Sequence, residues 1–545
     1  MSPISVTLFL VIIVCTTPVF SQNDAWFFLR AKDSLFEAEF KTVDTKLVYQ
    51  GNDSKLKDVF SRHRIKTFKK TYKKARKENL KKTFFVISEK ESLMEDLLNE
   101  ASHIFEYGEH ILENDKKIFE PNDYGLTSTI GDNKGFQVNL DYLDFLEVPK
   151  AWYYTTGSPN TIVGISDGTV DTTNIDFKGK TKTIRKSYFA NGHGSGVASI
   201  AAGQGNNGYG VPGVCYDCGI YATSYGDFKR FEQLLELSKA GVRVINCSWL
   251  NGAYYETAQA VIDEMFENGT IIVAAAGNSS WAQSKNGKRL FYPASYNHVV
   301  SVSTVMYKHE SISDNIKELD GNYYAENIKY HLGRTIGFVD NDTLKKPHIY
   351  PVSVTALNEE VDIIAPSAGL FSFGRFVKNE SKIYIHVEAT SPAAPLVTGS
   401  IGLMFSLYPC LAVDEVETIL KFTSKNVDHI ELNKPYLGKN GSGVLNTGKA
   451  VEMVYQLYSE KETAFIENQN FYRWDFKLTS LSKAVVIQNQ KFTDSSSLKL
   501  NAKNRIIIGE NTSLKPDKKG KISLKIDPSL VKECDLVLRD PSIEN

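Results

Sequence analysis

The middle of the chain alternates continuous apolar runs with amphipathic ones. Residues 161–165, 242–245, 271–275, 299–302 and 361–364 are mostly apolar and rich in β-branched side chains, as strands covered on both faces are. Between them, 231–240 and 258–268 place apolar residues at helical spacing and are closed by Gly241 and Gly269, residues suited to a helix C-terminus. Strands alternating with helices in this way predict a parallel α/β sheet from about Asp141 to Ser459, with its chemistry at the carboxyl ends of the strands. The run 396–407 is apolar on nearly all sides, which predicts a central buried helix.

The flanks read differently. From residue 22 to about 122, strand-like runs (35–40, 84–87) alternate with amphipathic ones (56–60, 93–98), a small α+β pattern. The Lys- and Arg-rich stretch within 62–82 reads as a solvated helix face rather than a polyanion site. Between 306 and 353 the rhythm fails, which marks a surface insertion. Beyond about residue 460, short runs at 485–487, 505–508 and 522–526, broken by Asp, Asn, Gly and Pro, predict a small β-rich module. At the front, the apolar run 6–14 is too short to span a bilayer and leads to Val19-Phe20-Ser21, a signal-peptide pattern with cleavage expected after Ser21. No later run reaches the roughly 18 apolar residues of a span. The expected organisation is therefore a signal peptide (1–21), an α+β unit (22–125), an α/β domain (126–459, inserted around 306–353) and a β module (460–545).

Composition narrows the class. The chain has 545 residues, with 63 Lys plus Arg against 64 Asp plus Glu, 42% hydrophobic and 11% aromatic residues. This excludes a disordered chain and a single small module, and a net charge of -1 offers no general attraction to nucleic acid or anionic membrane. Removal of the basic segment would leave the remainder more acidic. Cysteines are too few for a disulfide scaffold. In an oxidising compartment, Cys215-Tyr-Asp-Cys218 reads as a local disulfide, since no second pair completes a zinc site, while Cys247, Cys410 and Cys534 read as buried thiols.

Candidate chemistry sits where the predicted strands and helices end. Asp167 leaves the first strand in Ser166-Asp167-Gly168; alone it would be a turn residue. His193 lies between Gly192 and Gly194, open to approach and suited to proton transfer near neutral pH. Asn278 follows the strand 271–275 and can offer an amide N–H to an oxyanion. Ser391 is expected at the N-cap of the buried helix, with Pro392 at its first position, where the helix dipole favours developing negative charge. Each residue alone has a structural explanation. Their order, Asp, His, Asn, Ser, within one α/β domain points to chemistry.

The segments Ser166-Asp-Gly-Thr-Val-Asp171, Asn191-Gly-His-Gly-Ser195, Ala274-Ala-Ala-Gly-Asn278 and Ala389-Thr-Ser-Pro-Ala-Ala-Pro395 resemble the subtilisin-like serine proteases. The resemblance implies an α/β fold: a subtilisin-like parallel sheet with helices on both faces, here preceded by a small α+β prodomain and followed by a small β-rich domain. It implies Ser391 as nucleophile, His193 as general base and then acid, and Asp167 as the group that orients and charge-stabilises the imidazole. Asn278 and the backbone N–H of Ser391 would form the oxyanion site, and the reaction would be peptide-bond hydrolysis through an acyl-enzyme. The implied product is a secreted, monomeric endopeptidase acting on proteins or peptides, made as a self-processing zymogen. Its prodomain would be an intramolecular inhibitor released near residues 121–126, and no nucleic acid would be a partner. Catalysis needs no cofactor; a structural calcium is implied by Asp176, at the family's carboxylate position, with Asn206 and Asn207 in the adjoining loop.

This chain departs from the family pattern at several positions. Gly168-Thr169 stands where the family has Ser or Thr and then Gly, which removes a side-chain hydrogen bond near the carboxylate. Gly196 replaces a second histidine, Ser199 a glycine, and Ala389 the glycine before Thr-Ser, whose added methyl would crowd substrate or change the backbone. Ser248-Trp-Leu-Asn-Gly252 replaces Ser-Leu-Gly-Gly. A catalytically weak protein that uses the same cleft to bind peptides is the alternative these changes motivate. An esterase is disfavoured because Ser391 lacks a G-x-S-x-G elbow.

Overall fold

The computed structural model describes residues 24–43, 46–71, 77–112, 117–124, 140–189, 192–377, 380–385, 389–517 and 519–539. The expected signal peptide, the boundary near residue 125, and Asn191 lie outside the described residues. Backbone contacts divide the chain into two units, Met1–Lys117 with Asp540–Asn545 and Ile118–Arg539.

The first unit is α+β, as its pattern predicts. Its six-stranded antiparallel sheet runs in the order Phe40–Val43, Lys46–Tyr49, Ile65–Lys70, Thr83–Ser88, Ala25–Ala31, Phe105–His110. Ala25–Ala31 alternates buried and half-buried residues, so Phe27 and Leu29 face the helices Ser54–Ser61 and Ser92–Glu100 and pack with Leu56, Val59, Leu93 and Leu97. The run 35–40 reaches strand conformation only at Phe40.

The second unit is built on a seven-stranded, wholly parallel sheet. In chain order its strands are β1 (Ile162–Ser166), β2 (Thr181–Thr183), β3 (Gly219–Thr223), β4 (Val244–Cys247), β5 (Ile271–Ala275), β6 (Val299–Val305) and β7 (Ile363–Pro366). Their spatial order is β7-β6-β5-β4-β1-β3-β2. β4, β5 and β6 are buried at every position, which explains their lack of polar alternation. Beyond the short helices Asp141–Phe145 and Val148–Tyr154, the described α-helices of this unit are α1 (His193–Ala202), α2 (Glu232–Lys239), α3 (Glu256–Glu267), α4 (Ala393–Leu407), α5 (Val413–Thr423) and α6 (Thr447–Tyr458). All fifteen residues of α4 are buried, in keeping with its all-round apolar surface. The insertion is an antiparallel sheet of Ile316–Leu319, Asn322–Glu326, Thr335–Phe338 and Pro347–Ile349.

The C-terminal β region is a short parallel solenoid. Three three-stranded parallel sheets wind so that Ala464 pairs toward Val485 and Ile506, Phe471 toward Phe492 and Leu514, and Leu478 toward Leu500 and Leu524. Asn468, Asn489 and Asn511 occupy the corresponding corner of successive coils in left-handed backbone conformation, a geometry Asn tolerates better than most residues. Its interior residues join the hydrophobic core that begins at Leu140. Two disulfides are present among the described residues. Cys215 pairs with Cys218 as expected, and Cys247 is a buried thiol. Cys410 and Cys534, expected as thiols, are instead joined across 124 positions, tying the end of α4 to the segment after the solenoid. Among the described residues no helix is long and apolar enough to cross a membrane.

Candidate active site

Strand order assembles the site. β5, β4 and β1 are neighbours, so Asn278, Ser248 and Asp167, which follow them, emerge along one edge of the sheet. Helix α1 then brings His193 to Asp167. This requires Gly194, because a Cβ there would lie 2.2 Å from the carbonyl oxygen of Gly168. The preceding Gly192 is left-handed (φ 80°) and caps the helix. Ser195 fastens the first turn by accepting from the Asp171 N–H at 2.9 Å.

Asp167 is fully buried, and its Oδ1 lies 2.8 Å from Nδ1 of His193, whose side chain is 33% exposed. The carboxylate can only accept here, so Nδ1 carries the proton and donates, leaving Nε2 as the basic nitrogen. Burial disfavours the charged ring, but the hydrogen bond and negative charge of Asp167 outweigh it and hold the His193 pKa above its ordinary value. Cys247, fully buried at the end of β4, has its thiol pKa pushed well up by burial and by Asp167, which keeps it neutral.

Ser391 lies just before α4, which begins at Ala393 with Pro392 at its cap. The serine, expected as the N-cap itself, is thus one position before the cap, and the Thr390 carbonyl ahead of it accepts the N–H groups of Ala393 and Ala394, at 3.2 Å each. Its Oγ donates to the Ser248 carbonyl at 3.3 Å, and the Ser248 hydroxyl donates to the Ser391 carbonyl at 2.9 Å. Asn278 is oriented by Thr390, the residue before Ser391 in the serine motif, whose role no local pattern signals. The Thr390 N–H and hydroxyl both donate to Asn278 Oδ1, at 2.8 and 3.0 Å, while the Gly277 N–H donates to the Thr390 hydroxyl at 3.1 Å. A backbone N–H cannot accept, so the amide oxygen must face Thr390 and the amide nitrogen must face away. In the substrate-strand segment, Trp249 turns inward and donates its Nε1–H to the Ser166 carbonyl at 3.0 Å.

Away from this edge, Asp176 is fully buried; its Oδ1 accepts from Asn207 Nδ2 at 2.8 Å, and its Oδ2 has no hydrogen-bond partner among the described residues. Burial, with a contribution from Asp123, pushes its pKa up to about 8. Asp123, itself buried, accepts from the N–H groups of Asn206 and Asn207 at 3.1 and 3.2 Å. Two buried carboxylates beside an amide-rich loop are an oxygen donor set that fits a hard divalent cation such as calcium. Asn206, however, points its side-chain oxygen at the Asn122 N–H (2.9 Å). Among the described residues, no group of three or more His, Cys, Asp or Glu could hold a metal ion.

Compared with known proteins, residues 158–442 match the profile of the subtilase family. The chain belongs to the subtilase family. It is 27% identical to subtilisin DY of Bacillus licheniformis over 306 residues, 54% of this chain and 91% of that protein. It is 23% identical to the calcium-dependent protease of Trichormus variabilis over 437 residues, 73% of this chain but 61% of that protein. Fervidolysin from Fervidobacterium pennivorans, described as a keratinolytic enzyme related to subtilisin, is a structural neighbour with a TM-score of 0.42 and 16% identity, covering 79% of this chain and 61% of that one. The subtilase match spans the parallel sheet and the segments carrying Asp167, His193, Asn278 and Ser391, and the fold is the subtilisin-like one that the resemblance implies.

Proposed function

We propose that this subtilase is a secreted serine endopeptidase that hydrolyses peptide bonds through an acyl-enzyme on Ser391 and is made as a self-processing zymogen. The observation that carries this reading is the buried Asp167 carboxylate 2.8 Å from His193 Nδ1, at the sheet edge where Ser391 and Asn278 also emerge. Ser391 Oγ turns from the Ser248 carbonyl to Nε2 of His193, which takes its proton as Oγ attacks the scissile carbonyl. Asp167 stabilises the imidazolium, which then protonates the leaving amine; water repeats the cycle on the acyl-enzyme. The amide nitrogen of Asn278, aimed by Thr390, and the Ser391 backbone N–H stabilise the oxyanion.

The α+β unit acts as the intramolecular inhibitor, removed near residues 121–126. Export fits the two disulfides, which persist in oxidising compartments. The mature enzyme is a monomer acting on protein or peptide substrates. Calcium is held as a structural ion by Asp176 and Asp123, with loop oxygens around Asn206 and Asn207; the orphaned Asp176 Oδ2 and the relative named a calcium-dependent protease support this. The ion supplies charge compensation for the two carboxylates and takes no part in bond cleavage.

The test is secretion of the precursor and its Ser391→Ala variant from a protease-deficient host, with the N-termini mapped. Wild type should lose the prodomain and hydrolyse peptides, while the variant stays full length and inert. Identical processing of both would overturn the proposal.

A further inference from the structure

The Asp167 carboxylate is held in an unusual way. Among the described residues its Oδ2 is buried without a hydrogen-bond partner, and Oδ1 receives the hydrogen bonds that hold the group. The donors are the Gly168 N–H at 2.6 Å, His193 Nδ1 at 2.8 Å and the Tyr225 hydroxyl at 2.9 Å. The first comes with the chain itself, and the second is the ring to be positioned. Gly168 has no side chain to add another. Tyr225 is therefore the further side-chain donor, reaching the carboxylate from just beyond β3, the strand beside β1.

The tyrosine is itself firmly placed. Its carbonyl accepts from Nε2 of Gln233, a fully buried residue of α2, at 2.7 Å. Its ring meets Phe189 edge-on at 5.5 Å, and the adjacent Ser224 carbonyl accepts from the Ser166 hydroxyl at 3.0 Å, joining the ends of β1 and β3. A neutral phenol can donate to a carboxylate, and the carboxylate can only accept, so the bond's direction is certain. Donors to a charged acceptor are the stronger kind, and one approaching Oδ1 from a separate strand resists rotation of the carboxylate about its own side-chain bond.

We infer that Tyr225 is a positioning residue for the catalytic pair, fixing the Asp167 carboxylate so that it holds the His193 ring toward Ser391. This rests on the protease reading above. The hydroxyl supplies, from just beyond a neighbouring strand, the bond that a side chain at position 168 would otherwise give, and it acts through Asp167. The consequence is kinetic: without it the imidazole keeps its partner but loses alignment, so turnover suffers and substrate binding does not.

The secreted, processed enzyme and its Tyr225→Phe variant should be compared in kcat, KM and melting temperature, together with Tyr225→Phe carrying Gly168→Ser. The expected result is a fall in kcat of roughly tenfold, a typical effect of one lost hydrogen bond to a charged group, with KM within about twofold. Melting should stay within about two degrees, and Gly168→Ser should recover most of the lost kcat by returning a hydroxyl next to Asp167. A kcat within about twofold of wild type overturns the inference, as does a loss that comes with a lowered melting temperature and is not restored by Gly168→Ser. If wild type depends on Ser391 but ignores Tyr225→Phe, this inference alone fails. If Ser391→Ala is as active as wild type, the protease reading fails and the inference with it.

Discussion

Lys421 on α5 offers a direct test of how the solenoid and the α/β core are joined. Its side chain is 2% exposed, with Nζ 2.8 Å from Asp362 Oδ1, in contact with Glu417 and 4.6 Å above the ring of Trp474 in the first solenoid coil. Glu417 is 36% exposed and can be solvated alone, whereas Asp362 is 13% exposed and, among the described residues, keeps the Ser301 N–H at 2.9 Å as the further donor to its side chain. Lys421→Met preserves side-chain length and removes the charge, leaving Asp362 buried beside another carboxylate. Breaking a buried pair by removing one partner costs about 3–5 kcal/mol; the remaining Ser301 bond puts this case near about 3 kcal/mol while Asp362 is ionised. Burial already pushes the Asp362 pKa up, and Lys421 is the cation that opposes the shift, so the variant's carboxyl is raised further. A carboxyl whose folded pKa exceeds its unfolded value stabilises the fold below the unfolded value and loses that contribution as pH rises through the folded one. The difference between wild type and variant should therefore be larger at pH 8 than at pH 5, measured by urea unfolding in a Ser391→Ala background that cannot digest itself. A difference under about 1 kcal/mol that does not change with pH would refute the reasoning.

Removing calcium with a chelator should lower the melting temperature, most strongly near pH 8 and above. There the raised carboxyl of Asp176 must ionise in the absence of the ion, and Asp176→Asn should abolish the response to calcium. Replacing Cys410 and Cys534 by Ala should cost about 4–5 kcal/mol of stability in the chain-entropy account of a loop closed across 124 positions, readable as a fall in urea midpoint under conditions that leave other residues unchanged. In the proposed mechanism His193 must be neutral to act as general base, and its pKa is raised, so kcat/KM should rise through an acid limb above about 6.5; a limb at or below that value would contradict the Asp167 contact.

The buried strands were legible because a parallel sheet covered on both faces leaves long apolar runs: 271–275 coincides with β5, and 161–165 is displaced by one residue from β1. The positions of Asp167 and Asn278 at the sheet edge were legible for a related reason, since they stand within three residues of the ends of such runs. What escaped notice depends on contacts between distant segments. Tyr225 stands in an unremarkable stretch and matters only because β3 lies beside β1. Cys410 and Cys534 meet only after the solenoid has turned the chain back toward α4. The solenoid's repeat was present as Phe471 and Phe492 in matching contexts, but its two-residue strands are too short to show a period of two. Asn206, expected among calcium ligands, turns its side chain to Asn122, a pairing no local pattern encodes.

The most direct test of the central claim is the site of covalent labelling by a fluorophosphonate, which reacts with a serine only when a neighbouring base activates it. Peptide mapping of the labelled, secreted protein should place the adduct on Ser391, with labelling lost in His193→Ala and strongly slowed in Asp167→Asn. An adduct on another residue, or none on Ser391 in processed protein, would contradict the assignment of Ser391, His193 and Asp167 as a working protease site.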